Sequence, residues 1–245
     1  MAVGIADFAA DRNARARRLG FSVILERQSA GSRGMGGESS LSEKVKEEMA
    51  VSKKAALEDF RLQIEESCSV KRSFSAELLE NIWRLSEKTI AAYRNGKKVL
   101  LMGNGGSAAD AQHLAAELVG RFELRRKAFP AIALTTDSSI LTAVSNDFGF
   151  EECFARQVEA LAAKGDILIA ISTSGKSANV LRALDAARRV GCYTAGLTGK
   201  TGGGLAARVD LLLAVPSEKT QRIQEAHSLI AHMYCGLVER ALSET

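Results

Sequence analysis

The sequence predicts an α/β fold: a doubly wound, mainly parallel five-stranded sheet flanked by helices, with extra helices on its N-terminal side. Three observations carry this. From Gly96 onward, short apolar runs alternate with helical stretches, the rhythm of strands joined by crossover helices. The run Ile167-Leu168-Ile169-Ala170-Ile171 is apolar without a break, as in a strand covered on both faces. Two of the strands end in glycine- or serine-rich turns, at the sheet edge where open α/β folds bind ligands.

Taken in order, residues 1–48 read as an N-terminal extension, poorly ordered and without a catalytic role. They combine Arg12, Arg15, Arg17 and Arg18 with a Ser/Gly stretch from Ser29 to Ser40, which is linker composition. Asp7, Asp11 and Glu26 count against a transit peptide, and the charge is too sparse for a nucleic-acid arm. Met49 would itself begin a domain spanning 49–245, or 197 residues (245 minus 48). Between Leu41 and Cys68, the spacing of Val45, Met49, Ala56, Phe60, Leu62 and Ile64 suits an interrupted amphipathic helix. Ser75 caps a second helix with Leu78, Leu79, Ile82, Leu85, Ile90 and Tyr93 on its apolar side and Gly96 as its stop. These two helices are extra to the sheet and would pack on it or on another subunit. Strands follow at Lys98–Met102, Ala131–Thr135, Asp166–Ser172, Tyr193–Thr198 and Asp210–Val215, with helices at about Ser107–Phe122, Glu151–Ala163, Ser177–Val190 and Ser217–Leu242.

Composition narrows the function. The chain is 46% hydrophobic, as a globular protein is, and its net charge of +4 is mild and interspersed, which gives no case for a nucleic-acid partner. No apolar run reaches the ~18 residues of a membrane span. Cys68, Cys153, Cys192 and Cys235 are scattered, without a CxxC pair or a secretory signal, and are expected as free thiols in a reducing cytoplasm.

The first ligand turn is Gly103-Asn104-Gly105-Gly106-Ser107, after the first strand. Its glycines let the backbone approach a ligand, and the helix that follows offers free N–H groups. A dinucleotide fingerprint would need an acid ~20 residues on; Asp137 lies 34 residues beyond Gly103 (137 − 103). A Walker loop fails too, because Gly199-Lys200-Thr201 would need a leading glycine where Thr194 stands. The second turn is Ser172-Thr173-Ser174-Gly175-Lys176-Ser177. Four hydroxyls, a lysine and a helix N-terminus meet there, a set suited to a phosphate or sugar phosphate; a lone Ser177 would be an ordinary helix cap. His113 and Glu117 stand at i and i+4 on one helix face, either a metal-ligand pair or a solvated one. The chain's three histidines, His113, His227 and His232, all fall on this helix and the last one.

Four ordered motifs then resemble one family: GNGGSAADAQHLAAEL (103–118), AVSNDFGFEE (143–152), ISTSGKSANV (171–180) and RIQEAH with a histidine five positions later (222–232). They are similar to the phosphoheptose isomerases, sugar isomerase (SIS) domain proteins that act on sedoheptulose 7-phosphate, and the likeness runs from about Met49 to the C-terminus. The resemblance implies a cytoplasmic homotetramer with active sites at subunit interfaces, supplying the first heptose intermediate for lipopolysaccharide. It implies that Asn104, Gly105 and Gly106 contact the sugar and that Asn146 and Asp147 bind its hydroxyls. It further implies that Ser172, Thr173, Ser174 and Ser177 hold the phosphate, in agreement with the reading of that loop from its residues. His113, Glu117, Gln224 and His232 match metal positions, with zinc the usual ion; Gln224 also borders the sugar. Glu117 and His232 match the acid–base pair, and His227 has no assigned role.

The chemistry suits these groups. A carboxylate can remove the C1 proton of a ketose, and an imidazole, titrating near neutrality, can move a proton between O1 and O2 of the enediol. Gln224 and His232 are eight residues apart, ~12 Å along a helix, so sharing one ion requires reach from opposite sides or from different subunits. A rival of another class has the same fold, associates with the replication initiator and acts by contact alone, but its pattern lacks the catalytic carboxylate and the late histidine. Both are present here as Glu117 and His232. A sensory SIS module would sit beside a DNA-binding domain, and residues 1–48 are too short and weakly basic to be one.

Overall fold

The computed structural model describes residues 53–243, so the extension expected over 1–48 and the front of the helix expected from Leu41 lie outside the described residues. The chain divides into two units, Met1–Glu66 and Ser67–Thr245. The described elements are helix α1 (Lys53–Arg72), α2 (Ala76–Arg94), strand β1 (Val99–Gly103), α3 (Gly106–Val119), β2 (Ala131–Ala133), α4 (Ser138–Phe148), a 3₁₀ turn (Phe150–Glu152), α5 (Ala155–Leu161), β3 (Ile167–Ile171), α6 (Ala178–Val190), β4 (Tyr193–Thr198), β5 (Leu211–Ala214) and α7 (Thr220–Ser243).

The five strands form one sheet in the order β2-β1-β3-β4-β5, and every pair is parallel. The order reverses between β1 and β3, which is where a doubly wound sheet opens a crevice. Val99 pairs with Ile167 and Gly103 with Ile171, so the two ligand turns leave the sheet at the same level.

Strand alternation sorts the core onto two faces. Val99, Leu101, Ile167, Ile169 and Ile171 pack with Leu78, Ile82 and Leu85 of α2, with Leu114 and Leu118 of α3, and with Ile223, Ile230 and Val238 of α7. Leu100, Met102, Leu168 and Ala170 pack on the opposite face with Phe154 and Val158 of α5 and Val180, Ala183 and Leu184 of α6. Ser75 caps α2 as its sequence position suggests, its hydroxyl accepting from Leu78 N at 3.1 Å. Leu79, expected on the buried side of α2, is exposed. In α1 no residue is buried, and Leu57, Phe60, Leu62 and Ile64 are exposed.

Most strand and helix ends lie within one to three residues of the sequence reading, and three differences have a structural reason. α4 is absent from that reading, although Ile140, Val144 and Phe148 recur every four residues: Asp137 caps it, accepting from Ile140 N at 2.9 Å, and Leu141 and Val144 pack partly buried against the second core face. The helix expected over Glu151–Ala163 breaks into the 3₁₀ turn and α5, because Cys153, Phe154 and Ala155 are all buried in succession. α3 stops at Val119 rather than Phe122 because the Arg126 guanidinium takes its terminal carbonyls, Glu117 O and Leu118 O, both at 2.8 Å.

Candidate active site

The glycine turn after β1 is shaped by what it cannot accommodate. A Cβ on Gly103 would strike the Ser107 backbone, and Gly105 adopts φ +55°, a conformation open to glycine. A Cβ on Gly106 would overlap the carboxamide of Gln224, so the first turn of α7 rests directly on this loop. Asn104 and Asn179 exchange two amide hydrogen bonds, each 2.9 Å. Asn179, buried at the start of α6, thereby ties the glycine turn to the Ser/Thr loop.

In that second loop, Ser177 is the N-cap of α6 but makes no capping bond; its hydroxyl lies 3.2 Å from that of Ser172. The Ser172 and Ser177 hydroxyls therefore meet at the N-terminal end of α6, where free backbone N–H groups favour an anion. The loop is braced against the segment after β4. Gly175, at φ +64°, presses on Gly202, and Gly199 N donates to Thr173 O at 3.0 Å while Gly204 N donates to Gly175 O at 2.8 Å. Between the two segments lies a cavity of about 150 Å³ lined by Thr173, Ser174, Lys176, Lys200 and Ser217, among others. Sequence reasoning gives Lys200 and Ser217 no part in the site; the carboxyl-end rule for parallel strands, applied to β4 and β5 as well as β3, would have found them.

The third group joins α3 to α7. His113 Nε2 lies 3.2 Å from Glu117 Oε1 and 3.5 Å from His232 Nε2, and the two imidazoles meet edge to face with centroids 5.2 Å apart. One ligand atom from each of His113, Glu117 and His232 falls within 4.8 Å of the others. Three electron-pair donors thus crowd one point, an arrangement that a divalent cation satisfies, and two imidazole nitrogens with a carboxylate oxygen are a donor set suited to zinc. Gln224 is placed at the glycine turn, against Gly106. Asn146 and Asp147 are exposed on α4, bonded to one another at 2.9 Å.

The surroundings explain two residues that chemistry might otherwise claim. Burial, with the Glu117 carboxylate adding to it, pushes the Cys235 thiol up to about 12, so it stays protonated as an inert wall. Burial drives His227 down to about 4, against a bond to Thr198 O at 3.3 Å, so this imidazole is neutral and structural. All four cysteines are free. Among the described residues, no helix is long and apolar enough to cross a membrane.

Comparison with known proteins places the chain in a family. The sequence profile of the SIS domain family matches residues 64–199. A phosphoheptose isomerase of Geobacter sp. (strain M21) is 54% identical over 186 residues, which is 76% of this chain and 97% of that protein. One from Roseiflexus sp. (strain RS-1) is 56% identical over 182 residues, 74% of this chain and 92% of the other. Among solved structures, the phosphoheptose isomerase of Neisseria gonorrhoeae superposes with a TM-score of 0.72 at 42% identity, over 76% of this chain and 99% of that one. That of Francisella tularensis gives 0.73 at 38% identity, over 76% and 98%. With relatives this similar over nearly their whole length, the chain belongs to the phosphoheptose isomerase family of SIS-domain proteins.

Proposed function

We propose that this chain is an aldose–ketose isomerase converting sedoheptulose 7-phosphate to D-glycero-D-manno-heptose 7-phosphate through an enediol, supplying heptose for lipopolysaccharide. The observation that carries the reading is the convergence of His113, Glu117 and His232 on two helices, α3 and α7, that both meet the glycine turn. The alternative, a non-catalytic partner of the replication initiator, has no use for that cluster, and the relatives described above are named for the isomerase.

In this reading the phosphate sits against Ser172, Thr173, Ser174 and Ser177 at the start of α6, and the sugar extends over Asn104, Gly105 and Gly106 toward α3. Asn146 and Asp147 take sugar hydroxyls. The Glu117 carboxylate removes the C1 proton and returns it to C2, while the His232 imidazole moves the proton between O1 and O2. The glycine at 105 leaves open space for the substrate backbone, and Gly106 makes room for Gln224, which orients the sugar. Zinc held by His113, Glu117 and His232 would polarise the oxygens of the enediolate. A ligand role for Gln224 is met by donation from a second subunit, in a homotetramer with interfacial sites. The enzyme works in the cytoplasm.

A coupled assay on sedoheptulose 7-phosphate, with chelator and with bound metal measured, tests this. Turnover that falls on chelation and returns with zinc supports it. Absence of turnover overturns the isomerase, and full activity after complete metal removal overturns the zinc.

A further inference from the structure

The loop between α3 and β2 is held by more polar contacts than a connector needs. The buried Glu239 carboxylate on α7 accepts from Phe122 N (2.9 Å), Glu123 N (2.6 Å), Leu124 N (2.8 Å) and Arg126 Nε (2.9 Å). Arg126 turns its other nitrogens onto the end of α3, and its guanidinium stacks 3.9 Å from the centroid of Phe129. The clamp fixes the backbone of residue 122 against α7, and the Phe122 ring comes to rest beside His232, with centroids 5.4 Å apart and planes tilted by 34°. Gly236, one turn beyond His232, makes the room: a Cβ there would stand 3.3 Å from the Phe122 ring. The His232 imidazole is thus contacted by two rings, edge to face by His113 and in a tilted stack by Phe122.

We propose that Phe122 is a positioning residue for the isomerase reaction, delivered by the Glu239–Arg126 clamp to hold the His232 imidazole in the orientation that faces His113 and Glu117. The inference rests on the isomerase reading, in which His232 moves a proton. It assigns a function to a loop residue that touches neither the phosphate loop nor the glycine turn in the contacts described above. Without the ring face, His232 keeps its backbone position but loses the wall that selects its side-chain rotamer.

The test is turnover of sedoheptulose 7-phosphate by Phe122→Leu, which keeps apolar bulk without a ring, and by Phe122→Tyr, which keeps the ring. The expected result is a kcat about 3- to 10-fold lower for Phe122→Leu, the scale of a lost aromatic pair, with KM little changed, and recovery in Phe122→Tyr. In a His232→Asn background, Phe122→Leu should produce no further loss of the residual rate. Wild-type activity for Phe122→Leu, an effect on KM alone, or an equal loss in both backgrounds would overturn the proposal. Should Phe122→Leu fail to fold, Phe122→Met carries the same comparison. Wild-type turnover is the control: its absence indicts the isomerase reading, whereas its presence with an indifferent Phe122 indicts only this one.

Discussion

Replacing Glu239 by Gln should be one of the costlier single-atom changes in this protein. The glutamine carbonyl can still serve Phe122 N and Arg126 Nε, which both use Oε1 in the wild type. Its amide, however, then presents N–H groups to Glu123 N and Leu124 N, where an oxygen now accepts both. Two buried donors lose their acceptor, and the 2.9 Å ion pair with Arg126 loses its negative partner while both side chains are almost fully buried. Breaking one side of a buried pair costs ~3–5 kcal/mol. Arg126 keeps carbonyl partners at Glu117, Leu118 and Lys127, so the low end, ~3 kcal/mol, is expected. Burial alone would raise the Glu239 carboxyl, but the three backbone N–H groups and Arg126 outweigh it and hold it below its ordinary value. A depressed carboxylate lends stability above its unfolded pKa and loses it as pH falls through the folded one. The gap between wild type and variant should therefore narrow on acidification. Urea unfolding at matched protein concentration, at neutral pH and through the acid range, reads both. A loss under ~1 kcal/mol, the worth of an ordinary hydrogen bond, or a gap that widens with acid, would refute the clamp.

Two further outcomes follow from the same geometry. Ser177→Ala should raise KM for the phosphorylated sugar while kcat changes little, since Ser177 makes no capping bond that the helix would miss; an unchanged KM removes it from the phosphate site. The buried His227 is neutral when folded and takes a proton when unfolded, so it makes stability fall as pH drops from 6.5 to about 4. At ~1.4 kcal/mol per pKa unit that amounts to about 3 kcal/mol. A His227→Gln variant should show a correspondingly flatter pH dependence of unfolding, and parallel curves would refute the assignment.

The sheet is legible in the sequence because its strands are buried on both faces, and Ile167–Ile171 reads as one uninterrupted apolar run. The ligand turns are legible because glycine and hydroxyl residues cluster at strand ends, where the register of β1 against β3 sets them level. α4 escapes the reading although Ile140, Val144 and Phe148 keep a helical spacing, because the helix is only 11 residues long and none of them is fully buried. The braces around the site escape the sequence for another reason. Asn104 and Asn179 are 75 residues apart, and Glu239 is over 100 from the loop it holds, so nothing local marks either as a partner. The His113–Glu117 pair can be seen as a helix face, but its meeting with His232, 119 residues away, depends on how α7 crosses α3. Gln224 and His232 share that last helix yet serve different places along it, Gly106 and His113.

In the proposed reaction, Glu117 performs the proton transfer at carbon. Steady-state turnover of sedoheptulose 7-phosphate by Glu117→Gln, an isosteric change at a half-buried side chain, probes that step. The expected result is a folded protein that still binds the substrate and turns it over at least ~10²-fold more slowly, the low end for losing a general base. Near wild-type turnover by Glu117→Gln would contradict it.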